Sequence, residues 1–366
     1  MSIFKTNILP GRTVITVTNE QYLWFSGTDY LGLGHNEEFR TFFNNGIEAY
    51  GTHFGSSRNN TLQLEIYDEA EVLFSEFTGS PAALIVSSGM WAGQLVMKEI
   101  ENLVRNNADT EIIKYYYAPR VHPALRGNHF KPENRTWKEW AYQVVHEINN
   151  SSGKTAHIIC TDAIGSPMIE EFDFSIFSNL SSSQNTWLIV DESHAIGISG
   201  QDGCGLWKRL NQLSDINKIV LSSLNKALGI PGGVILSDNF TVDQLRRSPW
   251  FAGASPPAPA YMHVLKMILK SSLSARMHSD LMQNIAYFDQ KTSINSLFEK
   301  VNAFPVLCSK NPALFDYLLR NKIMASCFSY PMPTDAPVTR LAISTLHQKE
   351  DLDKLAKVCT LFNIQD

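Results

Sequence analysis

Lys226 lies in the segment LSSLNKALGIPGG, downstream of an apolar run, TWLIVD, that ends on Asp191. A lysine in a small, glycine-rich turn can condense with an aldehyde to a Schiff base. A strand-end carboxylate can hold a heteroaromatic nitrogen protonated, so that the ring accepts electrons. Neither half is specific alone. A lysine among glycines is usually solvated, and an Asp after a Leu-Ile-Val run is common at the mouth of any α/β sheet. His194 follows Asp191 by one short step at the same strand end, so the two can face one ligand, the carboxylate at a ring nitrogen and the imidazole at a phenolic oxygen. Together these residues describe what a pyridoxal-phosphate enzyme needs.

The phosphate of such a cofactor needs donors. In VSSGMWAG, Ser88 and Gly89 separate a buried strand from a helix, which aims the backbone N–H groups of Gly89 and Met90, with the helix dipole behind them, at an anion. Ser223, just before the lysine turn, offers a hydroxyl to the same phosphate, although a strand-end cap explains that serine equally well. His122, in RVHPALRGN, is a further candidate, but a lone histidine is more often a satisfied core or surface residue. Arg340, in VTRLAIST, has the fork geometry to clamp a carboxylate bidentately, against a default reading as a surface ion pair.

The elements that must position these groups follow from hydrophobic pattern. ALIVSS, AHIICTD, TWLIVD, NKIVLSS and GGVILS are apolar runs without alternation, as strands buried on both faces are. Separated by helical or loop segments, they predict a mostly parallel sheet. The pattern places a helix over Ile66, Ala70, Leu73, Phe74 and Phe77, whose spacing puts them on one face, and another over GMWAGQLVMKEIENLV. TVITVT and YLWFSG read as extended. SNLSSSQN at 178–185 reads as a polar loop. SPWFAGASPPAPA carries four of the 16 prolines and must be irregular. Beyond it come FPVLC, a helix opened by Asn311 and Pro312, the strand RLAIST, and a last helix with Leu352, Leu355, Ala356, Cys359 and Phe362 on one face. The expected organisation is an N-terminal segment (1–40), a large cofactor-binding domain (41–245) and a small α+β C-terminal domain (246–366).

Composition narrows the function class. The 366 residues are 44% hydrophobic and 18% charged with net charge −5, a globular balance without the basic excess of a nucleic-acid binder. The 5 cysteines are scattered, as free thiols in a reducing compartment are. No run approaches the roughly 18–20 apolar residues of a membrane span, and the start lacks a long apolar h-region, so a soluble cytoplasmic protein is expected. The 10 histidines form no HExxH pair and join no cysteine cluster, so no metal site is expected. SGKT at 152–155 and DESH at 191–194 imitate a nucleotide hydrolase. The glycine a P-loop requires before its GKT is here Ile148, and a strand, not a helix, follows the SGKT, so that reading fails.

With these residues in hand, the chain resembles the α-oxoamine synthase family of fold-type-I pyridoxal-phosphate enzymes. The resemblance is carried by DYLGLGH, YGTHFGSSRNNTLQLEIYDEAEVLFSEFTG, ALIVSSGMWAG, VHPALRGN, VDESHAIGISGQDGCG, SSLNKALGIPGG and VTRLAIS, in the family's order and over nearly the whole chain. It implies an α/β, aspartate-aminotransferase-like fold and pyridoxal 5′-phosphate bound covalently to Lys226. It also implies Asp191 under the pyridinium, His194 at the phenolic oxygen, His122 stacked on the ring and Ser166 (in TDAIGSPM) near the cofactor. Gly89, Met90 and Ser223 fall at the phosphate, and Arg340 at the amino-acid carboxylate. The implied reaction condenses a small amino acid with an acyl-CoA thioester and loses CO₂, with alanine and a pimeloyl thioester expected first. Glycine or serine with other acyl groups, plain transamination and non-catalytic cofactor binding are the alternatives. The active site is expected between the subunits of a homodimer. The chain departs from the family pattern at Thr28, where asparagine is usual, at Leu62, Tyr67 and Asn225, and at Ala252 and Gly253, which replace hydroxyl residues. These changes bear on the acyl-CoA side.

Overall fold

A computed structural model of the chain describes residues 3–151, 153–181, 185–291, 297–329 and 334–365. The strands in chain order are β1 (Thr13–Ile15), β2 (Gln21–Phe25), β3 (Ala82–Val86), β4 (Ile112–Tyr117), β5 (Thr155–Asp162), β6 (Asn185–Asp191), β7 (Asn217–Ser223), β8 (Gly233–Ser237), β9 (Glu299–Lys300), β10 (Val306–Ser309), β11 (Ile323–Phe328) and β12 (Val338–Ala342). They form two sheets. The larger has the order β3-β8-β7-β6-β5-β4. Its neighbours from β4 to β7 are parallel, and β8 runs antiparallel between β7 and β3. The smaller has the order β1-β2-β11-β12-β10-β9 and draws its strands from both ends of the chain, β2 pairing in parallel with β11.

Strands β5 to β8 are buried along nearly their whole length, which is why their sequences run apolar without alternation. The mostly parallel sheet expected from the sequence is present, and the predicted helices appear as Glu65–Thr78, Gly89–Asn107, Leu314–Arg320 and Lys349–Gln365. Strand β4, whose IIKYYY carries a lysine and three tyrosines, has no counterpart among the apolar runs. As the edge strand it is only partly covered, so no continuous apolar run marks it. The helix Glu37–Tyr50 is likewise additional to the expected elements; it is capped by Asn36, whose side chain accepts from Phe39 N. Of the SGKT stretch, Ser152 lies outside the described residues; Gly153 and Lys154 form the bend entering β5, and Lys154 pairs with Asp109. The polar loop at 178–185 falls partly on 182–184, also outside them. No helix among the described residues is long and apolar enough to cross a membrane.

Strand β3 delivers the chain to Ser88 and Gly89, and a buried charge cluster fixes where it ends. Glu71 Oε1 accepts from Ile85 N at 2.7 Å and from Arg58 Nη1 at 2.5 Å, while the same Nη1 donates to Ile85 O at 3.2 Å. Arg246 Nη2 donates to Glu71 Oε2 at 2.6 Å, and the Arg58 guanidinium lies 4.7 Å from the Tyr67 ring centre. Both polar groups of Ile85 are thus held by side chains. Removing one member of a buried charge pair strands the other. Arg58→Ala is therefore expected to lower stability by about 3 kcal/mol, read as a shift in the urea midpoint, and an unchanged midpoint would show that Arg246 alone satisfies Glu71.

Candidate active site

The site grows from strand register. Parallel pairing of β5 with β6 sets Asp162 opposite Asp191, so two carboxylates end adjacent strands side by side. Asp191 Oδ1 accepts from Ser193 N at 2.9 Å, and Ser193 Oγ accepts from Ser223 N at 2.7 Å, tying the end of β6 to the end of β7. From Ser223 the chain turns: Asn225 N donates to Ser223 Oγ, and Gly229, at φ +65°, closes the loop with its N–H on Lys226 O. A left-handed residue here favours glycine. The turn sets Lys226 into the pocket beyond both carboxylates.

Burial dominates the electrostatics. It lowers the Lys226 pKa, a shift opposed by Asp191 and Asp162 and reinforced by Arg340. It holds Asp162 well above the usual carboxylate range, and the charge of Asp191 pushes in the same direction. Two carboxylates this close in a poorly solvated site do not both ionise easily, which is why the neighbouring charge adds to the rise at Asp162. The His122 ring caps the turn Pro123–Leu125, its Nδ1 accepting from Ala124 N at 3.2 Å, while its backbone N–H donates to Asp162. Burial lowers the His122 pKa although Asp191 opposes this, so the imidazole is neutral. The 3.6 Å approach of its Nδ1 to Asp191 Oδ2 is then not an ion pair. Asp191 Oδ2 is left, among the described residues, facing an acceptor and needing a donor. A protonated ring nitrogen is such a donor, and Lys226 is the amine for an aldehyde, so the residues present fit pyridoxal phosphate.

On the His194 side of the pocket, Arg340 approaches from β12. Its Nη2 donates to Tyr30 Oη at 2.8 Å, and Tyr30 Oη lies 3.3 Å from His194 Nδ1. Arg340 is 9% exposed and its Nε is buried with no protein partner. Arg340 does not itself line the pocket; it lies behind His194, 3.5 Å from its Nδ1. Burial holds the His194 pKa well below its usual value, with Lys226 and Arg340 adding to the effect.

Gly89, Met90 and Ser223, expected at a phosphate, do not line this pocket but meet nearby by close backbone approach. A Cβ on Gly89 would come within 2.5 Å of Ser223 Cβ, and one on Gly233 within 2.3 Å of Ser88 O, so β3, β7 and β8 converge only with hydrogen at these positions. Ser88 caps the Gly89–Asn107 helix, its side chain accepting from Trp91 N. The N–H groups of the first helical residues, Gly89 and Met90, have no acceptor within the helix. The Met90 side chain itself is 49% exposed.

Of the residues singled out in the sequence, Lys226, Asp191, His194, His122 and Ser166 line one pocket, and Arg340 meets it through His194. Asp162, Ser193, Arg120 and Ile164 line it too and were not anticipated. Asp162 had a signal, since AHIICTD ends an apolar strand on a carboxylate as TWLIVD does. The altered positions Thr28, Leu62, Tyr67, Asn225, Ala252 and Gly253 are absent from its lining. Tyr67 instead donates to Pro257 O, and Ala252 O accepts from Ser57. A wider cleft of about 500 Å³ runs along the β4 edge past Tyr115, His129 and Phe130. The smaller pocket is the candidate because the shifted titratable groups converge there.

The family profile described as aminotransferase class I and II matches residues 20–358. The chain belongs to that family. Among relatives, it is 26% identical to the 8-amino-7-oxononanoate synthase of Buchnera aphidicola, covering 94% of this chain and 90% of that one. It is 25% identical to the enzyme of the same name from Petrotoga mobilis, covering 93% and 88%. Among solved structures, it shares its fold with a serine palmitoyltransferase from S. paucimobilis, with TM-score 0.82 at 12% identity over 99% of this chain and 92% of that one. It also resembles the 8-amino-7-oxononanoate synthase of Francisella tularensis, with TM-score 0.69 at 20% identity over 94% and 98%.

Glu192, next to Asp191, supports the site from below. Its Oε2 accepts from Leu206 N at 2.8 Å, its Oε1 is buried without a partner, and burial raises its pKa from 4.5 to about 8. The folded state therefore holds a proton that the unfolded chain releases above its ordinary carboxylate pKa. This contribution to stability is complete below that value and is lost as pH rises through about 8. Glu192→Gln keeps the neutral form, so unfolding free energy measured between pH ~5 and ~8 should fall less with pH in the variant. Equal slopes would show that Glu192 is ionised in the fold.

Proposed function

We propose that this protein is a pyridoxal-phosphate-dependent acyltransferase that joins a small amino acid to an acyl thioester, releasing CoA and CO₂ and leaving an α-amino ketone. Alanine and a pimeloyl thioester are the substrates, the reaction of an 8-amino-7-oxononanoate synthase in biotin synthesis. The observation that carries the reading is a poorly solvated lysine in one pocket with a carboxylate that has an unclaimed oxygen, and an arginine held next to the pocket residue His194. The names of the relatives that match over most of the chain support the choice of substrates. Dimerisation about the site follows from the family resemblance, and the free cysteines fit a reducing cytoplasm.

When bound, pyridoxal phosphate supplies an aldehyde that captures amines and a cationic ring that takes up negative charge from the α-carbon. Asp191 would hold the ring nitrogen protonated, and Gly89 N–H, Met90 N–H and the Ser223 hydroxyl would bind the phosphate. His122, Ser166 and His194 would hold the ring, His194 at the phenolic oxygen. Arg340 would fix the carboxylate of the amino acid. Lys226, its pKa lowered by burial, is the base that takes the α-proton, because a desolvated amine is unprotonated more of the time than a solvated one.

The test is CoA release with alanine, glycine and serine crossed against acetyl, pimeloyl and palmitoyl thioesters. Alanine with the pimeloyl thioester should release CoA fastest; silence with every pair, alongside transamination, would replace the reading with an aminotransferase. Lys226→Ala should abolish turnover and the visible absorbance gained on adding pyridoxal phosphate. Arg340→Ala should raise the KM for the amino acid by roughly 10- to 100-fold, the worth of a charged hydrogen bond.

A further inference from the structure

Tyr30, in the DYLGLGH stretch, lies far in sequence from the catalytic strands yet sits fully buried between Arg340 and the pocket residue His194. Its hydroxyl accepts from Arg340 Nη2 at 2.8 Å and lies 3.3 Å from His194 Nδ1, and the same Arg340 Nη2 is 3.5 Å from that nitrogen. A guanidinium only donates. The Tyr30 oxygen has therefore already accepted one hydrogen bond, and its own proton has His194 Nδ1 as its neighbour. If Nδ1 carried the histidine proton, that N–H would face a guanidinium N–H, and the Tyr30 proton would have no acceptor among the described residues. If Nδ1 carries a lone pair, both hydrogen bonds of the relay are made: Arg340 donates to Tyr30, and Tyr30 donates to His194. Burial also disfavours ionisation of Tyr30 and protonation of His194, so the relay stays neutral beyond the arginine.

We propose that Tyr30 is a positioning residue that locks His194 as the Nε2–H tautomer and seats Arg340 beside it. The proton of His194 is thereby placed on the ring nitrogen away from Tyr30. On the reading given under Proposed function, that N–H is the donor for the phenolic oxygen of the cofactor, and the arginine for the substrate carboxylate is seated by the same hydroxyl. Lys226 and His122 are the other titratable groups facing His194, and neither supplies a donor to Nδ1.

The experiment is nitrogen-15 NMR of the cofactor-free protein with labelled histidine, the His194 signals being assigned by their loss in His194→Gln. The wild-type spectrum should show a lone-pair Nδ1 and a protonated Nε2. Tyr30→Phe should move His194 toward a mixture of tautomers and weaken amino-acid binding by about tenfold, whereas a merely structural tyrosine would leave the tautomer alone. An Nδ1–H signal in the wild type overturns the proposal without any variant, and so does an unchanged His194 spectrum in Tyr30→Phe. Because the measurement needs no cofactor, its failure is distinct from failure of the acyltransferase reading, which the CoA-release assay decides.

Discussion

Parallel register at the carboxyl ends of β5, β6 and β7 is the constraint on which the site depends. It puts Asp162 beside Asp191 and, through Ser193 and Ser223, ties the strand that carries Asp191 to the one that leads to Lys226. Burial then makes these charges expensive. The Asp162 pKa is driven up, and those of Lys226 and His122 are driven down. What remains is a carboxylate whose second oxygen faces an acceptor. A cationic heterocycle resolves that imbalance, so the electrostatic frustration of the pocket is also its specificity.

The anion end depends on a different constraint, which is space. Strand β8 enters antiparallel between β3 and β7, and at their meeting point Gly233 touches the Ser88 carbonyl and Gly89 touches Ser223. A side chain at either glycine would push the helix start away from the strand ends. The buried cluster of Arg58, Glu71 and Arg246 reaches the same point from outside by holding both polar groups of Ile85, which leads into Ser88. Tyr67 belongs to this support, its ring under the Arg58 guanidinium and its hydroxyl on Pro257 O.

The second sheet brings a cation, Arg340, to the His194 side of the pocket. Arg340 lies in the middle of β12, flanked by Cys308 on β10 and Ser326 on β11. Strand β2, from the N-terminal end of the chain, pairs with β11, and the segment after it brings Tyr30 against Arg340. The two ends of the chain therefore meet at the pocket, and the N-terminal strands belong with the C-terminal sheet by hydrogen bonding.

The sequence by itself determined the kind of chemistry. Lys226 in its glycine turn, Asp191 at the end of an unalternating apolar run, and the Ser88–Gly89 junction of strand and helix are local patterns, and each follows from residues adjacent in the chain. The buried strands were legible for the same reason, whereas the edge strand β4, half exposed and rich in tyrosine, had no such signature. Only the tertiary structure decided which groups meet. Asp162 reaches the pocket through its register with Asp191, and Tyr30 meets Arg340 and His194 through contacts spanning most of the chain. The lowered pKa of His122 and the raised pKa of Asp162 come from burial, a property of packing that no stretch of sequence carries alone.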